Sequence, residues 1–534
     1  MNIRVQNRTA FALILIFIIV SVLTARRLSI TADEAKHLQY GLNILSLNSN
    51  RFDDSKMPVS VLNAFPSHLG NLFPEGTAQR YLKKFLVART ITTLFSALVA
   101  WTVFIWARRL YGFSAGLVAL VLYIFDPNII AHSQLVTTDI YATGTLLFFT
   151  YSLWKFSKTR HWQDGLFCAA MLGLSLLAKY TSVVLIPIAL LTLILHDFLS
   201  IKQSYRKSGW SEVWTYLWRL LTYVLVAFLV SLLIINVGFL FNRSLTVFGD
   251  YQFRSTFFLE IQENMHFLEK LSIPVPYPYL EGLDWVIERE QSGFGYGRIY
   301  LFGQLHENQG FPGYYIFASL LKIPLASQIV FWLATVSFFI KGRYKNFFDN
   351  EIFLFIPLLF FTLYFNFFFN AQIGIRFYLI VFPLIFIFAG SLIEKWDDFS
   401  LRTKILLFAL LSYFLTSVFS YSPFFLTYFN EIVWDRKTAY RYLADSNLDW
   451  DQGELYLNEY LAEHPQTDYA PLTSKPGMIV VSVNDLVGVT ADPVQYKWLR
   501  ENFNPVDTIA NEYLVYRISN QEYNQKCAET GFCK

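Results

Sequence analysis

Two acids stand side by side at Asp33-Glu34, just after the first apolar run and its Arg26-Arg27 flank. A carboxylate there can take a proton from an attacking hydroxyl. Lys56, before Met57-Pro58, and Arg376, in Gly374-Ile-Arg376, carry the charge that would offset a phosphate leaving group. Asp139 ends a further stretch, His132-Ser-Gln-Leu-Val-Thr-Thr-Asp139; Tyr428-Phe-Asn-Glu431 and Asp445-Ser-Asn-Leu-Asp-Trp450 complete the set. Each has an ordinary structural reading. Thr31-Ala-Asp-Glu34 fits a capping box, with Thr31 as N-cap and Glu34 at the third helical position. Asp33 is then favoured by the helix dipole alone. Asp139 can cap a helix, Lys56 can be solvated, and Arg376 can snorkel. The chemical reading requires all of them on one face of one membrane.

The composition supplies the membrane. The chain has 534 residues and is 54% hydrophobic, 18% aromatic and 16% charged, with a mean hydropathy of +0.37. Apolar runs near the length that crosses ~30 Å of hydrocarbon recur throughout. They predict about eleven spans, at 9–26, 86–107, 113–130, 138–156, 164–179, 181–198, 218–241, 313–340, 351–369, 373–393 and 403–421. The first has no small-x-small cleavage site after it and reads as an uncleaved span. A net charge of +3 and the absence of a basic tract argue against nucleic acid as a partner.

Orientation follows from basic residues in the short loops. A cytoplasmic N-terminus puts Arg108-Arg109, Lys155 to Arg160, Lys202 to Arg219, Lys341 to Lys345 and Lys395 to Lys404 on one side. An odd number of spans then puts the C-terminus outside. Three large segments face out: 27–85, 242–312 and the tail. The chain divides into a membrane domain, 1–421, and an extracytoplasmic domain, 422–534. In the first loop Ala35, Leu38, Leu42 and Leu45 recur at helical spacing, which predicts an amphipathic helix on the membrane surface. In the tail, 436–461 reads as interrupted helix, while 478–489 and 508–518 read as strands of a small α/β domain. Cys168 reads as a buried packing residue. Cys527 and Cys533 suit either a small disulfide loop or two free thiols.

These stretches, in this order, resemble the bacterial members of the protein O-mannosyltransferase superfamily, which include the aminoarabinose transferases of lipid A. The most specific are Leu135-Val-Thr-Thr-Asp139, Leu177-Ala-Lys-Tyr-Thr181, Gly374-Ile-Arg376, Tyr428-Phe-Asn-Glu431 and Asp445-Ser-Asn-Leu-Asp-Trp450. The resemblance implies a mostly α, polytopic GT-C membrane fold and a polyprenyl-phosphate sugar as donor. It implies catalytic roles for Asp33, as base, with Glu34 as its companion and Asp139 as the second-loop acid. Lys56 and Arg376 would bind the donor phosphate. It leaves a divalent metal on Asp33 and Asp139 open, since Lys56 can supply the same charge.

One departure stands out. Relatives often carry Asp-Trp-Gly-Gln where this chain has Asp449-Trp-Asp451-Gln452. The change mimics the Asp-x-Asp metal motif of nucleotide-sugar enzymes. No Gly-rich phosphate loop or Rossmann-like alternation accompanies it, and it lies on the outer side, which discounts that role.

The expected activity is transfer of a single sugar, with inversion, to an acceptor hydroxyl at the outer face of a bacterial inner membrane. The acceptor would be a glycolipid, a polysaccharide or a protein. The alternative is a transporter or flippase of lipid-linked sugars, for which ionisable residues deep within spans would be expected.

Overall fold

The computed structural model describes residues 3–48 and 55–533, the side chains of 199, 200, 203, 204, 207, 208 and 345 excepted. Lys207 and Lys345 of the basic loops therefore lie outside the described side chains. The architecture is mostly α, with a small α/β domain at the C-terminal end.

Helix α1 (Ile3–Ala25) leads into the first loop, which folds as α2 (Glu34–Leu45), α3 (Val61–Gly70) and α4 (Thr77–Leu82). Next come α5 (Phe85–Tyr111), α6 (Phe113–Ile124), α7 (Pro127–Ser133), α8 (Asp139–Thr159), α9 (Trp162–Ala178), α10 (Leu185–Ser208) and α11 (Trp210–Gly238). The second large loop holds α12 (Thr256–Asn264), α13 (Tyr277–Ser292) and a hairpin of β1 (Arg298–Leu301) and β2 (Gln304–Glu307). Helices α14 (Tyr314–Lys322), α15 (Leu325–Ile340), α16 (Ile352–Phe367), α17 (Phe382–Gly390) and α18 (Leu401–Phe419) complete the membrane domain.

All eleven apolar stretches are largely helical, but they differ in kind. Among the described residues six helices are long and apolar enough to cross a membrane, and two bent pairs raise this to as many as eight. Stretch 313–340 is one such pair: α14 and α15 meet at 112°, and are not one straight span. Pro324 cannot continue a helix and pushes Ile323 into extended backbone. The freed carbonyls of Leu320 and Ile323 are taken by Asn430 Nδ2, at 2.6 and 2.8 Å. Stretch 113–130 breaks similarly by 61°, where Asp126 caps α7 through the amides of Asn128 and Ile129. Helices α9 and α16 are shorter than a full span.

The apolar segment through α17 is the centre of the bundle: 83% of its window is buried, against 17% for α11 and 11% for α18. Helices α5, α6, α8 and α15 pack around it.

The C-terminal domain adds α19 (Glu454–Glu463), β3 (Thr467–Tyr469), β4 (Gly477–Ser482), α20 (Val483–Val487), α21 (Lys497–Asn502), β5 (Asp507–Ile509), β6 (Tyr513–Ile518) and α22 (Asn520–Thr530). Its sheet runs β3-β4-β6-β5, with β3 parallel to β4 and the other pairs antiparallel. Both predicted strands are shorter than expected. Ser482 ends the first by accepting the Asp485 amide and capping α20. The second is split at Ala510-Asn511, where both residues have positive φ. Cys527 and Cys533 are disulfide-bonded, and Cys168 is free and buried.

Candidate active site

The first loop is fastened by Glu34. Its carboxylate is fully buried and takes Arg89 Nε and Nη2 at 2.9 and 2.5 Å, the Val136 amide at 2.8 Å and the Thr31 amide at 2.9 Å. Arg89 in turn reaches the carbonyls of Ala25, Leu28 and Ser29. One ion pair thus ties the exit of α1, the start of α2, helix α5 and the loop before α8. The capping box is half present: Glu34 reaches back to Thr31, while helix α2 begins at Glu34 itself and the Thr31 hydroxyl caps nothing. Glu34 is therefore walled off from solvent and cavity. Its hydrogen bonds all hold the scaffold, and it holds the neighbouring Asp33 in place.

Helix α2 has two distinct faces. Glu34, His37, Tyr40 and Gly41 form the buried stripe, whereas Ala35 is exposed and Leu38, Leu42 and Leu45 are half-exposed. The polar stripe faces the protein, which leaves the apolar side for the membrane surface. Gly41 is required where α2 meets α3, since a side chain there would strike the Ser60 carbonyl.

Asp33 sits one residue before the fastened Glu34, and its side chain remains 28% exposed. It lines a cavity of about 570 Å³ together with Lys56, Asp139 and Arg376. Four of the five sequence-derived residues therefore meet on one wall system, although they come from the first loop, the start of α8 and the segment before α17. Arg376 Nη1 donates to Asp33 Oδ2 at 3.0 Å. Lys179, from the Leu177-Ala-Lys-Tyr-Thr181 stretch, donates to Asp139 Oδ1 at 2.9 Å. Lys179 was not singled out for a role, because at the end of an apolar helix it reads as an interfacial cation.

Arg376 is held from beneath. Its guanidinium lies 4.2 Å from the Trp450 ring centre and 5.2 Å from that of Phe377. The Ile375 amide donates to Asn447 Oδ1 at 3.0 Å, and Ser446 donates to the Ile373 carbonyl. Gly374 has φ 135°, and a side chain on it would strike Ser446. Lys322, fully buried, donates to the carbonyls of Leu426 and Asn447. The Ser-Asn-Leu-Asp-Trp stretch is thus a clasp that fixes the arginine.

Three carboxylates, Asp33, Asp139 and Glu290, and five cations, Lys36, Lys56, Lys179, Arg289 and Arg376, line this cavity. Burial works to raise the Asp33 pKa, but Arg376 and Lys56 outweigh it and hold the group below its ordinary value. His37, also on the cavity, is pushed down to about 3 by burial and then by Lys56, so it is neutral near pH 7. Its Nδ1 lies 3.2 Å from Ser60 Oγ. Across the cavity Glu290 is raised by burial. It accepts from the Tyr296 hydroxyl at 2.7 Å and the Asn370 amide at 2.8 Å. Asp33 and Asp139 already have protein cations as partners, a poor fit to a metal between them, and the metal-like carboxylate grouping among the described residues lies elsewhere.

A second, apolar groove of about 600 Å³ runs between α8, α9, α10, α11 and α13. Tyr279 lines it and Tyr180 lines the polar cavity, and their rings are 5.5 Å apart. A phosphate-carrying amphiphile would find cations and a greasy channel side by side.

Residues 81–234 match the family model described as dolichyl-phosphate-mannose-protein mannosyltransferase. The match takes in Arg89, Asp139 and Lys179. ArnT from Cupriavidus metallidurans bound to undecaprenyl phosphate aligns over 95% of this chain and 97% of its own, at 13% identity and a TM-score of 0.46. The same protein in the apo state aligns over 76% and 62%, at 14% identity and 0.43. The archaeal oligosaccharyltransferase AglB from Archaeoglobus fulgidus, in complex with an inhibitory peptide and a dolichol-phosphate, aligns over 85% and 60%, at 15% identity and 0.47. The chain therefore spans less than two thirds of two of these structures. No curated protein sequence matches it.

Proposed function

We propose that this chain is an integral-membrane GT-C glycosyltransferase. It moves one sugar from a polyprenyl-phosphate carrier to an acceptor hydroxyl at the outer face of a bacterial inner membrane, with its N-terminus cytoplasmic and its C-terminus outside. The observation that carries this reading is the Asp33–Arg376 pair, 3.0 Å apart on a cavity wall that also presents Lys56.

Asp33 takes the proton of the acceptor hydroxyl as its oxygen bonds to the anomeric carbon. The bond from that carbon to the phosphate oxygen breaks, its electron pair leaves with the carrier phosphate, and the configuration inverts. Arg376 and Lys56 stabilise the departing charge, and the carrier's chain occupies the apolar groove beyond Tyr279. Asp139 keeps Lys179 oriented toward the same phosphate.

In the free protein Asp33 is a weak base, because its cations hold it ionised. A phosphate arriving on Arg376 and Lys56 neutralises them and raises the basicity of Asp33. The donor thereby switches on the base that will consume it.

The test uses proteoliposomes loaded with a radiolabelled polyprenyl-phosphate sugar. Wild-type protein should transfer label to acceptor lipids or proteins, and Asp33→Asn should not. Label that crosses the bilayer without being transferred would replace the transferase with a transporter.

A further inference from the structure

Two of the cavity's cations take no part in its internal pairing. Arg376 and Lys179 hold Asp33 and Asp139, and Lys56 helps to keep Asp33 ionised. Lys36 and Arg289 remain. Lys36 is exposed on α2, where water can serve it. Arg289 differs. It is half-buried in the last turn of α13, and its guanidinium lies 4.3 Å from the ring centre of Trp285, four residues earlier. Among the described residues no acid and no carbonyl takes that guanidinium. The adjacent Glu290 does not, because neighbouring residues on a helix do not face each other. Its carboxylate is occupied by Tyr296 and Asn370.

A helix C-terminus favours an arginine in its last turn, and a Trp–Arg pair four residues apart supports a helix by itself. Neither effect needs the guanidinium inside a cavity, since solvent would serve both. Here the chain makes room for it. Gly295 has φ 84°, and a side chain on it would strike Arg289 Nη1. The result is a flat cation, packed between an aromatic ring and a glycine, on the wall of the cavity. A half-buried charge without a counter-ion carries a desolvation cost that a bound anion would offset.

The course of α13 indicates which anion. The helix lines the apolar groove through Tyr279 and Leu283, and then the cavity through Trp285, Arg289 and Glu290. At ~1.5 Å per residue, Arg289 lies roughly 9 Å beyond Leu283, away from the carrier's chain. The acceptor comes to Asp33 on the α2 wall, whereas Arg289 stands on the wall that carries the donor. A donor laid along α13 meets the groove with its chain, Arg376 and Lys56 with its phosphate, and Arg289 with its sugar. We infer that Arg289 binds an anionic group, a carboxylate foremost, on the sugar being transferred, so that the donor is a polyprenyl phosphate of the uronic-acid class. This rests on the glycosyltransferase reading above and names its donor. A guanidinium fork matches the two oxygens of a carboxylate. A donor with two anionic groups also suits a cavity that holds more cations than acids.

Binding to the full-length protein in lipid nanodiscs tests this, with undecaprenyl phosphate and its glucosyl, glucuronosyl and galacturonosyl esters as probes. Wild type should bind one of the uronosyl donors roughly 10-fold or more tighter than the glucosyl donor, the scale of one charge-assisted pair. Arg289→Ala should erase that preference yet bind undecaprenyl phosphate as wild type does, which also reports that the variant is folded. Arg289→Lys keeps the charge without the fork and should retain only part of the preference. A wild type that binds the carrier but prefers neither uronosyl donor would overturn this inference alone. A wild type that binds no polyprenyl phosphate would overturn the glycosyltransferase reading with it. Loss of undecaprenyl phosphate by Arg289→Ala, at an unchanged unfolding temperature, would make Arg289 a ligand of the carrier phosphate instead. A preference that survives Arg289→Ala, with transfer to envelope acceptors reduced, would move the anionic group to the acceptor and so overturn the assignment to the sugar.

Discussion

The cavity and the C-terminal joint both collect buried carboxylates, and they do so with opposite electrostatics. In the cavity Asp33 has Arg376, Asp139 has Lys179, and Lys56 stands beside them, while Glu290 accepts a hydroxyl and an amide. At the joint between the membrane and C-terminal domains, carboxylate oxygens of Asp449, Asp451 and Glu512 lie within 4.8 Å of one another, and burial holds Asp449 and Glu512 above the ordinary carboxylate range. Since a buried charge persists only when compensated, the same residue type meets that need in different ways. The first region can exchange its internal pairing for an anion, a phosphate being the natural one. The second keeps its buried pair by a hydrogen bond between Asp449 and Glu512. Glu34 supplies the contrast to both: fully paired with Arg89 and two amides, it can admit nothing.

That contrast can be broken at several points. Glu34→Ala should do the most damage, because it leaves Arg89 buried and uncompensated. The expected loss is ~3–5 kcal/mol, visible as poor yield of folded protein and a lowered unfolding temperature. An intact, stable Glu34→Ala protein that has lost only activity would return Glu34 to the chemistry. Arg376→Lys keeps the charge but loses the flat group stacked on Trp450 and the fork that meets a phosphate. Transfer should fall roughly 10–100-fold with little change in stability, and a silent substitution would remove Arg376 from phosphate binding.

His37 sharpens the picture through pH. Its pKa falls from 6.5 unfolded to about 3 folded, so the unfolded chain binds a proton that the folded one refuses. Stability should therefore decline as pH drops below about 6.5 and continue to decline toward 3. His37→Gln should lose stability less steeply over that window, as denaturant titrations at pH 7 and pH 5 would reveal. The smallest effect is expected at the joint. Asp451→Gly should stabilise the protein by about 0.5–1 kcal/mol, since glycine adopts φ 67° freely.

Much of this arrangement was legible before any coordinates. Asp33, Asp139 and Arg376 could be picked out because each is a charged residue beside an apolar run on the same side, and Lys56 because it precedes Met57-Pro58 in the first outer loop. Their meeting in one cavity could not, since it depends on the break at Ile323-Pro324 and on the clasp at 445–450. Lys179 was hidden by its position at the end of an apolar helix. Glu512 lies far along the chain from Asp449, and only the sheet of the C-terminal domain brings them together. Asp451 was visible as an oddity but lacked its third partner.

The central claim separates two jobs on one wall: Arg376 and Lys56 hold the carrier phosphate, and Asp33 moves the proton. The direct measurement is carrier binding and sugar transfer on the same preparations of Asp33→Asn and Arg376→Ala. Asp33→Asn should bind polyprenyl phosphate as tightly as wild type, or more tightly because Arg376 is released, while transfer falls by roughly 100-fold or more. Arg376→Ala should lose binding in step with transfer. Equal loss of binding and transfer in Asp33→Asn would contradict the account, and so would transfer that survives that substitution.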